Sequence, residues 1–231
     1  MRQAPTLVQC LGKIGVPFLL RTAVNRLWSE ERYLGLVCDL SALPAVRPAK
    51  TKVVMEARDL RTFGGFEQEL KQVSGSDAFQ IYLRIRSRKA GVSTLYAANQ
   101  AGGPVFCQWL ITPDEQEALF AHSPHSYDRL KPDEVLIEGA YTFLSFRGMG
   151  VMTDGISQVL HIAHDLGARR AITYVAQDNA ASLAGCARAG FVLDHLRISK
   201  RRWGSSHSQV RHTDAPAQDA WAKVAARTAQ N

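Results

Sequence analysis

Residues 133–167 read DEVLIEGAYTFLSFRGMGVMTDGISQVLHIAHDLG, and no other stretch of the chain restricts the fold as much. DEVLIEGAYTF (133–143) predicts a strand. Met152, Ile156, Val159, Ala163 and Leu166 are spaced 4, 3, 4 and 3, which predicts a helix that starts near Gly150 and ends before Gly167. Between strand and helix stand Gly148 and Gly150, residues that permit positive φ and close approach of a ligand to the backbone. A helix start offers unpaired N–H groups and the positive end of the dipole. Arg147 adds a planar cationic fork beside it. The combination suits a phosphate group, above all a pyrophosphate. A tight strand-to-helix turn with no ligand is the plainer alternative.

Two better-known phosphate motifs are excluded by inspection. A P-loop needs Gly-Lys-Ser/Thr, and here Gly150 is followed by Val151 and Met152. A dinucleotide fingerprint needs glycine where Thr153 stands.

The rest of the chain supplies a mixed set of elements. The first thirty residues read as mostly helical, 31–40 as a short strand, and ALPAVRPAKT as a connector closing an N-terminal extension, 1–50. TKVVMEA (51–57) predicts a strand, and two helices follow around 60–72 and 77–88. VSTLYAANQ and PVFCQWLIT flank AlaGlyGly as a hairpin. After the opening motif, a strand at 170–175, a helix at 180–189 and a strand at 191–199 are expected. From residue 204 onward apolar periodicity fades, so 204–231 reads as a flexible tail with a frayed helix near Ala220–Arg227. This order implies a mixed sheet flanked by helices rather than a purely parallel one.

A second motif lies at ITYVAQDNAASLAGCARAGF (172–191). Its helix is mostly small residues, which leave room for a slim ligand arm or for tight helix–sheet packing. Asp178 or Asn179 can cap it, and Gly190 can end it. Taken together, the two motifs resemble the GNAT superfamily of acetyl-CoA-dependent N-acyltransferases. Arg147, Gly148, Met149, Gly150, Val151 and Met152 match Arg/Gln-x-x-Gly-x-Gly/Ala, except that Met152 replaces a small residue. Val175, Asn179, Ser182, Gly190 and Phe191 match the family's second motif. The resemblance spans about 51–199, within a domain expected over 51–203, and implies an α/β (α+β) fold. Its sheet is mixed and mostly antiparallel, flanked by helices, with a helical extension at the N-terminus.

The resemblance implies direct transfer of an acetyl group from acetyl-CoA (coenzyme A) to a primary amine on a small molecule or peptide, with no metal. It places Leu144, Ser145, Arg147, Gly148, Met149, Gly150, Val151, Met152, Asn179 and Ser182 at the cofactor, with main-chain groups of 143–145 at the oxyanion. Glu138, mid-strand, and Glu134, on the same face by alternation, are the candidate bases. Where relatives carry a tyrosine as general acid, this chain has Cys186, a weak donor; Tyr141, Tyr174 or water are substitutes. GNAT domains usually end in a strand hairpin, yet FVLDHLRISKRRW runs on without a turn signal. The strand around 31–39 is therefore expected to complete the sheet, within the chain or across a homodimer.

Composition narrows the alternatives. The chain has 231 residues, 46% of them hydrophobic, enough for one core with additions. Its formal charge of +7 welcomes anions. The Lys200–Arg202 cluster has only Trp203 beside it, a poor nucleic-acid motif. His161, His164 and Asp165 share a polar helix side with Asp154 and Gln158 and read as surface groups rather than metal ligands. Four dispersed cysteines, no membrane-length apolar run and no signal peptide point to the cytoplasm. A non-catalytic acyl-CoA-binding domain is the main rival reading.

Overall fold

A computed structural model describes residues 12–15, 18, 20, 24, 25, 27–59, 62–87, 94–100, 103–122, 127–203 and 205–229. Most of the expected N-terminal helix and the AlaGlyGly turn at 101–103 lie largely outside the described residues. The strands are β1 (Trp28–Asp39), β2 (Glu56–Asp59), β3 (Thr94–Gln100), β4 (Gly103–Ile111), β5 (Glu134–Thr142), β6 (Arg170–Ala176), β7 (Val192–Arg202) and β8 (Ser205–Arg211). The helices are α1 (Gly65–Leu70), α2 (Gly75–Ser87), α3 (Gln116–His122), α4 (Val151–Asp165), α5 (Ala180–Arg188) and α6 (Ala215–Ala229).

All eight strands form one sheet in the order β2-β3-β4-β5-β6-β1-β7-β8. Every pairing is antiparallel except that of β5 with β6. One face packs Leu34, Leu36, Phe106 and Leu110 against Ile156, Val159 and Leu183 of α4 and α5. The other packs Leu95, Trp109 and Leu136 against Phe66 and Ile81 of α1 and α2. No helix among the described residues is long and apolar enough to cross a membrane.

The strand expected at 31–39 does complete the sheet, and it does so within the chain. β1 lies between β6 and β7, with Gly35 opposite Tyr174 on one side and His195 on the other. The N-terminal segment, expected as an extension over 1–50, thus supplies a strand inside the sheet. From β1 the chain turns through Leu40–Ala42 and crosses the α4 face to reach β2 at the far edge. Asp154 and Gln158 hold this crossing. Asp154 accepts from Ala49 N (2.7 Å), while Gln158 accepts from Met55 N (3.0 Å) and donates to Val53 O (2.9 Å). These two residues, expected on a solvated face, are the helix's attachment to the crossing chain.

The segment after residue 204 is likewise structured. β8 pairs with β7 from Leu196↔Arg211 to Arg202↔Ser205. Asp214 caps α6 by accepting from Ala217 N (3.0 Å) and pairs with Arg32 at 2.5 Å. Ala217, Trp221 and Val224 pack on the core. Their spacing of 4 and 3, extended by Thr228, is a helical signal.

Candidate active site

β5 and β6 pair only from Glu134↔Arg170 to Leu136↔Ile172, although β5 runs on to Thr142 and β6 to Ala176. Past that point the two parallel strands part. The cause lies in β5, where Trp109 of β4 faces Glu138 and Cys107 faces Tyr141, so that one extra residue is bulged out. Gly139 sits in the bulge at φ +65°, and a Cβ there would lie 2.3 Å from the Trp109 ring. Only glycine meets both conditions. Arg84, buried on α2, clamps the bulge by donating to Gly139 O and Ala140 O, both at 3.0 Å.

Glu138 stands at the opening. Its carboxylate accepts from Gly139 N (3.3 Å), from the Tyr174 backbone N–H across the gap, and from the Tyr127 hydroxyl. Burial outweighs these bonds and pushes its pKa up to about 7. A cleft of about 150 Å³ opens beside it, walled by Tyr33, Tyr127, Tyr174 and Arg197. Arg197 stacks on Tyr174 and bonds Asp128 at 2.6 Å; Asp128 also accepts from the Tyr174 hydroxyl at 3.1 Å.

Beyond the opening, Gly148 and Gly150 adopt φ +77° and +79°, with open space around the missing Cβ of Gly148. Gly150 is the N-cap of α4 and supplies no side-chain cap. The first intrahelical bond is Asp154 N to Gly150 O (3.2 Å), so the amides of Val151, Met152 and Thr153 precede it. A glycine-lined, uncapped helix start fits a phosphate, and both glycines hold a positive φ that other residues rarely adopt. Met149 O is taken by Lys50 N (2.9 Å). Met152, large where the family pattern is small, rests on Gly185 of α5, where a Cβ would meet its sulfur at 2.9 Å.

Other candidates are placed differently. The Arg147 guanidinium is bound to both carboxylate oxygens of Asp77 (2.8 and 3.0 Å). Leu144 N donates to Glu69 (2.7 Å), so this amide is not an open oxyanion donor, and Ser145 lies in the short Leu144–Phe146 turn that leads on to Arg147. Asn179 caps α5 by accepting from Ser182 N (3.2 Å), which uses one of its oxygen's two lone pairs and leaves its amide nitrogen for a ligand. Glu134 is corrected as a candidate base. It is four residues back, roughly 13 Å along the strand, and is held by Lys131 and Arg170 outside the cleft. Tyr141 is turned to Glu69 and Arg147. Cys186 is buried near Glu138, and burial first, then that charge, pushes its thiol up to about 12. Tyr127 was missed because nothing in HSPHSYDRL announces a contact with a strand residue. No group of three or more His, Cys, Asp or Glu side chains converges among the described residues.

No family model and no curated protein matches the chain. Among solved structures it is similar to a GNAT-family acetyltransferase from Colwellia psychrerythraea, at 13% identity and TM-score 0.49, over 80% of this chain and 61% of that one. A putative GNAT-family acetyltransferase from Novosphingobium aromaticivorans matches at 12% identity and TM-score 0.46, over 74% and 64%. A GCN5-related N-acetyltransferase from Sphaerobacter thermophilus matches at 13% and 0.45, over 86% and 58%. The chain thus spans about three-fifths of the length of these proteins. The residues described above, rather than likenesses of this size, carry the functional reading. What the chain is similar to among solved structures is the GNAT acetyltransferases.

Proposed function

We propose that this protein is an N-acyltransferase that moves an acetyl group from acetyl-CoA to a primary amine, with Glu138 as general base. The observation that carries this reading is the position of Glu138. A carboxyl with a pKa near 7 stands where two parallel strands part, on the strand that leads into an uncapped, glycine-lined helix start. At neutral pH about half of it is ionised and able to take a proton from an ammonium group. Tyr127 and the Gly139 and Tyr174 amides orient that carboxylate. The amides of Val151, Met152 and Thr153 would hold the diphosphate, and the unpaired edge of β5 past Leu136 offers main-chain groups along the gap. Acetyl-CoA supplies a thioester: the amine nitrogen bonds to its acyl carbon, the carbon–sulfur bond breaks, and the thiolate leaves to be protonated.

The departing thiolate draws its proton from water or a cleft hydroxyl in this reading. Cys186 stays protonated but is sealed in the core, and Tyr127 already donates to Glu138. Thiol release from acetyl-CoA over an amine panel, with wild type and Glu138→Gln, tests the proposal. Release that depends on the amine and falls about 100-fold or more in the variant is expected. Stabilisation by coenzyme A with no release for any amine would make the chain a binding module.

A further inference from the structure

The cleft beside Glu138 holds more polar groups than a base requires. Its floor is made by residues that face one another across β1, β7 and β8. Tyr33 faces Arg197, Glu31 faces Ser199, and Ser199 faces Ser208; Arg201 stands one row further, opposite Ser29 and Ser206. Arg197 is bound to Asp128, and Glu31 accepts from the Tyr33 hydroxyl at 2.9 Å. Arg201, half-buried in the lining, makes no side-chain hydrogen bond or ion pair among the described residues. The Ser208 hydroxyl is buried in the same cleft with no partner either.

A buried hydroxyl and a guanidinium without acceptors, converging on one end of a cleft, call for an anion. The guanidinium fork matches a carboxylate or a phosphate. Glu138 lines the same cleft from the β5 side and suits the amine. We infer that the acceptor is a primary amine carrying an anionic group, carboxylate or phosphate, which Arg201 and Ser208 bind while Glu138 receives the amine. This rests on the acyltransferase reading. Glu138 on β5 and Arg201 on β7 stand three strand spacings apart, roughly 14 Å between backbones, so the two groups sit at opposite ends of a slim molecule lying in the cleft they both line. A dication held by Glu31 and Glu138 is the competing acceptor, and the two arginines of the lining oppose it.

The test compares acetyl-CoA thiol release with 4-aminobutanoate, 6-aminohexanoate, 8-aminooctanoate and 3-aminopropyl phosphate against pentylamine and 1,5-diaminopentane. At least one anionic amine should show a kcat/KM about tenfold or more above pentylamine, mainly through KM, and the better of the two anion types identifies the group. Arg201→Ala should bring that ratio close to one, and Arg201→Lys should restore part of it. Pentylamine or the diamine performing as well as every anionic amine overturns the inference, as does an Arg201→Ala ratio equal to wild type. Calorimetric titration of the same anionic amines, without acetyl-CoA, separates this from failure of the acyltransferase reading. Binding lost in Arg201→Ala supports the anion site even if no amine is acetylated; no binding of any of them to wild type refutes it.

Discussion

Glu138 shows how one residue couples stability to chemistry. Its ordinary pKa is near 4.5, and burial raises it to about 7 in the folded protein. The native state therefore holds this proton more tightly than the unfolded chain does. The contribution to stability is complete below about 4.5 and is lost as pH rises through about 7. Glu138→Gln removes the loss. The variant should be more stable than wild type at pH 8 by about 3 kcal/mol, with the gap closing near pH 5. Thermal unfolding across pH reads this directly, and a variant melting below wild type at pH 8 contradicts it. In activity the sign reverses, since kcat/KM in wild type should climb with pH around a midpoint near 7. Gln108 provides a second case. It is fully buried on β4, and neither end of its amide has a partner among the described residues. Gln108→Met should raise stability by about 1 kcal/mol, measurable by urea unfolding.

At the scale of elements, the bulge in β5 decides the site. It parts β5 from β6 and aims Glu138 into the gap. Gly139→Ala forces a side chain into Trp109 at a positive φ and should cost about 3 kcal/mol, together with most of the activity. Denaturant unfolding checks the first, and an unchanged midpoint refutes the account of the bulge. The flanking elements were legible in the sequence, because helix 150–166 and strand 133–143 declare themselves by period and by glycine. The bulge was not, because Gly139 reads the same in a regular strand. Alternation put Glu134 and Glu138 on one face, but the pairing of Glu134 with Arg170, outside the cleft lining, is not visible in that pattern. Arg147 looked like a phosphate ligand; its partner Asp77 lies seventy residues away in sequence, beyond any local pattern. Asn179 was open between cap and ligand, and its bond to Ser182 N settles the cap.

Across the whole molecule, the order of strands is the unusual property. A chain whose motifs begin near residue 51 closes its sheet with a strand from residues 28–39, set between β6 and β7. The absence of a turn signal after Phe191 suggested a missing strand, yet β7 and β8 do pair as a hairpin, and α6 extends well beyond the frayed helix expected over 220–227. Removing residues 1–50 should therefore abolish cooperative unfolding altogether, since β6 and β7 lose their shared partner. A truncated chain that still melts as one transition would show that the extension is dispensable. The sheet, once closed, presents the α4 helix start and the Glu138 gap at the same end of β5, and the proposed acyl transfer depends on that pairing. Calorimetric titration of coenzyme A into wild type and Gly150→Glu tests it most directly. Saturable binding in wild type, lost in the variant because a carboxylate fills the cradle, is the expected result. Equal binding by both proteins, or none by wild type at millimolar coenzyme A, would contradict it.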